Sequence, residues 1–384
     1  MNAPPLTYLD NNATTRVDPR VVDALVPLLA EQYGNPSSAH HFGAQVAVQI
    51  EQSRRQVAAL IGARDAEIVF TCGGTEADNT ALRGVLTALP EKRHVIISPV
   101  EHHAIFETCE RLEEGGLTVT RLRVDREGRL DLDHLASSLR DDTALVSVML
   151  ANNETGVVFP LRQISEIAHA RGVLVHTDAV NATGKLAYDV NELGVDLLSL
   201  SAHKFHGPKG VGALYIRRGT PFRSVQIGGA QERGRRGGTL NAPGIVALGA
   251  ACALLSELGD AVHERMRVLR DQLETRLRER LPDVYICGSG VERLPNTTCA
   301  CFPGVSSEAI LMLLSEAGIC VSTGSACASG TLDPSHVLVA MGIDPHVAQG
   351  QIRFSLGRFN TKADIDRLFE VLPNIVARAA TSNV

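Results

Sequence analysis

Residues 67–79 read EIVFTCGGTEADN: a short, β-rich apolar run enters two glycines and then opens into a helix-forming stretch. Strand, glycine turn and helix make the first half of a crossover unit, in which the helix carries the chain back so that the next strand lies parallel. The pattern recurs along the chain. HVIISPV (94–100) leads into HAIFETCERLEE (103–114), and TALVSVML (143–150) into LRQISEIAHARG (161–172) and then VLVHTDAV (173–180). DLLSLSAHK (196–204) and GVGALYIRR (210–218) follow without a long helix between them, so the sheet is expected to end near residue 217. The fold class is α/β, with a mostly parallel sheet flanked by helices.

Beyond the sheet, residues 241–281 keep helical apolar spacing with a break near Gly259. TTCACF (297–302), SSEAILMLLSEAG (306–318), GICVS (318–322), QIRFSLGRF (351–359) and a closing helix from Thr361 then suggest a smaller α+β unit. A chain of 384 residues exceeds one ordinary core. The expected division is a large domain over 16–255 and a small one over 1–15 and 256–384.

Hydrophobic content of 44% and charged content of 21% exclude extended disorder, and a net charge of −6 offers no basic face for nucleic acid. The opening MNAPPLTYLDNN lacks a basic and an apolar leader region, and no run approaches about 18 apolar residues, so a cytoplasmic location without membrane contact is expected. The eight cysteines lack CxxC spacing and are read as thiols. Cys299 and Cys301 share one face of a strand, which favours core packing over a metal site; Cys72 and Cys320, in apolar runs, are expected to be buried and inert. Cys327 differs. It lies in STGSACASG (322–330), where nothing nearby offers it a packing partner.

Three strand ends carry candidate chemistry. Gly73 and Gly74 before a helix start form an anion site of the kind that takes phosphate, or else a plain turn capped by Thr75. Asp178, closing VLVHTD, can meet a ligand cation beyond the sheet, or else cap a helix. Lys204 closes another apolar run in a chain with five lysines among 37 basic residues, and an amine there can form a Schiff base; Lys209, in the following turn, is expected to be solvated. Phosphate cradle, carboxylate for a pyridinium nitrogen and lysine for an aldehyde are together what a pyridoxal phosphate site requires.

YLDNNATT, GNPSS (34–38), GTEADN, NNETG, HTDAV, SAHKFHGPKGVG, RRGGTLN and GSACASG occur in order from about residue 7, with RFSLGR ending near 360. In these the chain resembles the class I cysteine desulfurases of the NifS/IscS type. The resemblance implies the fold type I architecture of pyridoxal phosphate enzymes, a seven-stranded sheet, a homodimer, and conversion of L-cysteine to L-alanine with the sulfur left on Cys327 as a persulfide. It implies Lys204 as Schiff-base lysine, Asp178 on the pyridine nitrogen, and His102 stacked on the ring, with His103 structural or solvated. Gly74, Thr75, Ser201 and His203 would hold the phosphate, and Thr239 would reach the partner's phosphate. Asn153 and Arg353 would bind the substrate carboxylate. Asn181 stands where the family usually has Gln, one methylene longer, so its support of the cofactor's phenolic oxygen is expected to be altered. A sulfur-acceptor scaffold protein is the expected partner, and Cys327 could touch an iron-sulfur cluster through its persulfide. Selenocysteine lyase and a non-catalytic sulfur-transfer scaffold are the alternatives; retention of Lys204 and Cys327 argues against the latter.

Overall fold

The computed structural model describes residues 6–324 and 334–381. Seven strands form one sheet in the order Ile68–Thr71, Gly212–Ile216, Leu197–Ser201, Leu174–Asp178, Thr143–Ser147, His94–Ile97 and Thr118–Arg121. All neighbours pair parallel except Gly212–Ile216, which runs antiparallel to both of its neighbours. The turn between Ser201 and Gly212 is too short for a crossover helix, so the chain can only double back. Six of these strands were legible as apolar runs. The seventh, Thr118–Arg121, is a partly exposed edge strand of sequence TVTR and carries no such run.

Strands covered on both faces are apolar on both, and alternate residues serve different layers. Val69, Val95, Ile97, Leu145, Leu197 and Leu214 pack with Ala77, Ala81, Leu82 and Ile105 of the helices Gly74–Ala88 and His103–Glu114. Ile68, Phe70, Ile96, Val146 and Leu198 belong instead to the main core, with Ile245, Leu248 and Ala251 of the helix Ala242–Leu258. That helix packs on His41–Ile61 at close range: a Cβ at Gly249 would lie 2.6 Å from the Cβ of Ser53. The helical stretch expected over 241–281 is two helices, Ala242–Leu258 and Ala261–Arg280, bent by 79° across Gly259. No single described helix is long and apolar enough to cross a membrane.

Near the C-terminal end a second sheet pairs Gln351–Ser355, Thr297–Cys301 and Tyr285–Ile286 antiparallel. Ala300, Ile352 and Phe354 turn toward a cluster that includes Leu9, Leu273, Leu314 and Leu368, whereas Cys299 and Cys301 join the main core. The N-terminal strand Thr7–Tyr8 pairs parallel with Ile319–Cys320. This pairing brings the following residues, 10–15, across the carboxyl ends of the main sheet.

One buried ion pair holds the turn at Gln231–Gly234. Both terminal nitrogens of Arg54 donate to Glu232, at 2.8 and 2.7 Å, and the Phe70 amide donates to the same carboxylate at 2.8 Å. Glu232 and Arg233 hold φ of 48° and 59°, a left-handed conformation that non-glycine residues rarely adopt. Removing one partner leaves the other charge buried alone, so Glu232→Ala is expected to cost about 3–5 kcal/mol in chemical denaturation. A loss under about 1 kcal/mol would show that the pair does not hold this turn.

Candidate active site

The carboxyl ends of Ile68–Thr71, Leu174–Asp178 and Leu197–Ser201 bring together the residues singled out from the sequence. Ser201 ends its strand and passes into the single turn Ala202–Lys204. The N-terminal segment clamps that turn: the Thr15 amide and hydroxyl both donate to the His203 carbonyl at 2.9 Å, and the His206 amide donates to the Thr15 hydroxyl at 2.8 Å. Lys204 Nζ donates to the Asn12 carbonyl. A backbone contact thus helps to hold the lysine at the strand end. Lys209, five residues on, is exposed as expected.

Asp178 is buried, and its Oδ1 accepts the Val180 amide at 2.8 Å in a turn; the next helix, Val190–Leu193, starts well beyond it, so the helix-cap alternative does not hold. One oxygen is engaged locally while burial raises the carboxyl pKa to about 6, against the Val180 hydrogen bond and the Lys204 charge, which lower it. A second carboxyl, Asp78, reaches the same place from the helix Gly74–Ala88. The nearest polar atoms of Asp78, His102 and Asp178 lie within 4.8 Å of one another. Burial first, and then Asp178, push the Asp78 pKa well above the carboxylate range, and its Oδ1 has no hydrogen-bond partner among the described residues. Two carboxyls facing each other this closely call for a cation or a shared proton.

His102 caps the helix His103–Glu114, its Nδ1 accepting the Ala104 amide at 3.1 Å. That contact leaves the ring proton on Nε2, and burial, followed by Lys204, His103 and His336, lowers the pKa to about 4. The imidazole is neutral at pH 7. His103 pairs with Glu107 at 3.5 Å and packs against His336, a structural role as expected.

The turn before the helix Gly74–Ala88 depends on glycine. Gly73 precedes the helix Gly74–Ala88 with no side-chain cap, so the first amides are free for an anion. A Cβ at Gly74 would lie 2.6 Å from Val180, two residues past Asp178, and a Cβ at Gly73 would lie 3.8 Å from Ser201 Oγ. Thr75 is exposed at the helix start, and His203 Nδ1 sits 3.2 Å from the Thr14 hydroxyl.

Asn153 and Arg353 meet through the Asn153 carbonyl, which accepts Arg353 Nη1 at 3.0 Å and Asn12 Nδ2 at 3.0 Å. Arg353 Nη2 also pairs with Asp10 at 3.0 Å, and its buried Nε makes no hydrogen bond among the described residues. The guanidinium edge is therefore shared with Asp10 and not wholly open. Cys327 lies outside the described residues, but the chain on either side is anchored. The Ser322 amide donates to the Arg353 carbonyl at 3.2 Å, and the Ser335 hydroxyl to Glu154 at 2.6 Å.

Two cysteine expectations need correction. Cys72 is exposed, because the strand stops at Thr71 and the next residue already belongs to the glycine turn; Cys320, in a two-residue strand, is only partly buried. Burial first, with Glu76 beside Cys72 and Asp10 near Cys320, raises both thiol pKa values, so neither is activated. Cys299 and Cys301 are fully buried in the core, with Cys287 beside them.

The family described as Aminotransferase class-V matches residues 7–368. The chain belongs to this family. Within it the similarity is to cysteine desulfurases. A cysteine desulfurase of Trichormus azollae is 53% identical over 97% of this chain and 93% of its own length. The cysteine desulfurase NifS of Azotobacter vinelandii is 49% identical over 97% and 92%. A solved NifS-like protein superposes with a TM-score of 0.92 at 40% identity, covering 97% of this chain and all of the other. Another, from Rickettsia africae, gives 0.88 at 32%, with the same coverage. Class-V aminotransferases are pyridoxal phosphate enzymes, and the residues here fit that group. The uncapped glycine turn suits its phosphate, the crowded Asp178 and Asp78 suit its cationic ring nitrogen, and Lys204 suits its aldehyde.

Proposed function

We propose that this chain is a cysteine desulfurase that binds pyridoxal 5'-phosphate through Lys204, converts L-cysteine to L-alanine and passes the sulfur to Cys327. The observation that carries the reading is the convergence of Lys204, Asp178 and the uncapped helix start at three strand ends. The bound cofactor supplies an electron sink for the substrate α-carbon.

The chain's own residues do the rest. Asp178, desolvated and beside Asp78, holds a proton on whatever base faces it. Lys204 tethers the cofactor and moves the α-proton, with neutral His102 within reach as a second proton acceptor. Arg353 and Asn153 receive the substrate carboxylate, and Asn181 supports the phenolic oxygen. Sulfur would pass as the Cys327 thiolate attacks the substrate sulfur and the carbon-sulfur bond breaks, the carbon keeping the bond's electron pair and taking up a proton on the way to alanine. Alanine leaves, and Cys327 carries the sulfur to a scaffold protein for iron-sulfur assembly.

A homodimer completes the reading. Thr239 is exposed, as a residue reaching a second subunit must be, and so are the nearby apolar Val225 and Ile227. The decisive experiment is simple. Purified protein should turn yellow with pyridoxal phosphate and release equal alanine and sulfide from L-cysteine when a thiol reductant is present. Protein that stays colourless, or that makes a keto acid instead of alanine, would defeat the proposal.

A further inference from the structure

A second lysine, Lys185, lies fully buried behind Lys204. Its Nζ donates to Asn12 Oδ1 at 3.0 Å and to Asn181 Oδ1 at 3.3 Å. Among the described residues no carboxylate pairs with it. Lys204 and Arg353 face it, as do His203 and His206, and Arg358 lines the same small cavity, while Asp10 and Asp18 are paired to Arg353 and Arg358. The backbone is fixed just as firmly. Gly184 holds φ of 80°, and a Cβ there would lie 2.6 Å from the Cβ of Phe205, the residue after Lys204.

A buried amine in such surroundings needs a positional reason, because burial and like charge both work against it. We infer that Lys185 is a positioning residue: it sets which end of the Asn181 amide is free and ties Asn181 and Lys204 to one residue, Asn12. An amide offers an acceptor oxygen on one branch and two donors on the other. With Asn181 Oδ1 taken by Lys185, only the NH2 branch remains, and it makes no hydrogen bond among the described residues. The site is therefore offered a donor, which favours a phenolate oxygen over a hydroxyl group because the charged acceptor makes the stronger bond.

Asn12 carries the second half of the argument. Its carbonyl accepts Lys204, its side-chain oxygen accepts Lys185 and Asn296, and its NH2 donates to the Asn153 carbonyl and to Thr297. Lys185 thus steadies the acceptor that holds Lys204. Burial and the neighbouring cations lower the Lys185 pKa well below the usual amine value. Even as a neutral amine it keeps two N–H groups for its two acceptors, so the role survives either protonation state.

The inference rests on the functional reading above, and its test separates the two. In the holoenzyme, pH titration of the visible absorbance of bound pyridoxal phosphate reports how readily the lysine-cofactor nitrogen takes a proton. A donor on the phenolate opposes that protonation. Lys185→Met and Asn181→Ala should each raise this pKa by about one unit. The double variant should shift no further than either alone, because both act through one contact. Should Lys185→Met fail to fold, Lys185→Leu serves in its place. An unmoved pKa in the folded lysine variant, or shifts that add in the double variant, would overturn the inference while wild type still shows its normal band. A wild-type protein with no visible band would overturn the functional reading, and this inference with it.

Discussion

Lys204→Ala is expected to lower alanine formation from L-cysteine by about 10³- to 10⁴-fold, because the substitution removes both the cofactor's tether and the base that moves the α-proton. The fold should survive. Lys204 is only partly buried, and it donates to a backbone carbonyl, Asn12, in a segment held by many other contacts. The melting temperature should therefore stay within a few degrees of wild type. A small primary amine added to the variant should restore part of the rate, since a free base can enter the space left by the side chain. Turnover within tenfold of wild type would remove Lys204 from the mechanism. A large loss of melting temperature would instead assign it a structural role.

Cys327→Ser is expected to lower sulfide and alanine production on the order of 10³-fold, while pyridoxal phosphate binding is unchanged. A hydroxyl is not ionised near neutral pH and cannot take the substrate sulfur. Exchange of the α-proton of alanine with deuterated solvent should persist in the variant, because that step needs Lys204 and Asp178 but no thiol. Wild-type protein given cysteine without reductant should gain the mass of one sulfur on the peptide containing Cys327. The other cysteines make poor substitutes. Cys109, Cys252, Cys287, Cys299 and Cys301 are buried, and Cys72 and Cys320 have raised pKa values. Recovery of the extra sulfur on Cys320 would move the acceptor there.

Two of the candidate residues were legible because each ends an apolar run, so one pattern marks both the strand and the candidate site. Lys204 after DLLSLSAH and Asp178 after VLVHT are cases of this. Asp78 and Lys185 escaped notice for the opposite reason. Asp78 lies inside a helix, and only its company of Ala77, Ala81 and Leu82, all buried, hints that it turns inward. Lys185 follows Asn181 by four residues through a turn, a spacing that matters only once the chain is seen to curl beneath Lys204. Cys72 was misread because the apolar run VFTC continues one residue past the strand, and propensity does not mark where pairing stops. The path of the N-terminal segment across the sheet ends rests on contacts between residues nearly 200 positions apart, such as Thr15 with His203, beyond any local pattern.

Gly324 has no room for a side chain: a Cβ there would lie 2.2 Å from Glu154 Oε2 and from Gln351 Oε1. Glu154 is itself fully buried, bonded to Ser335 and Gln351, with a pKa raised to about 7 mainly by burial. The post is therefore fixed, and Cys327 is only three residues beyond it. Three residues of extended chain span at most about 10–11 Å. Covalent geometry alone therefore limits how far the Cys327 backbone can lie from Gly324. If Cys327 carries the sulfur as proposed, an acceptor would have to bring its own thiol close to this fixed point and the neighbouring Arg353.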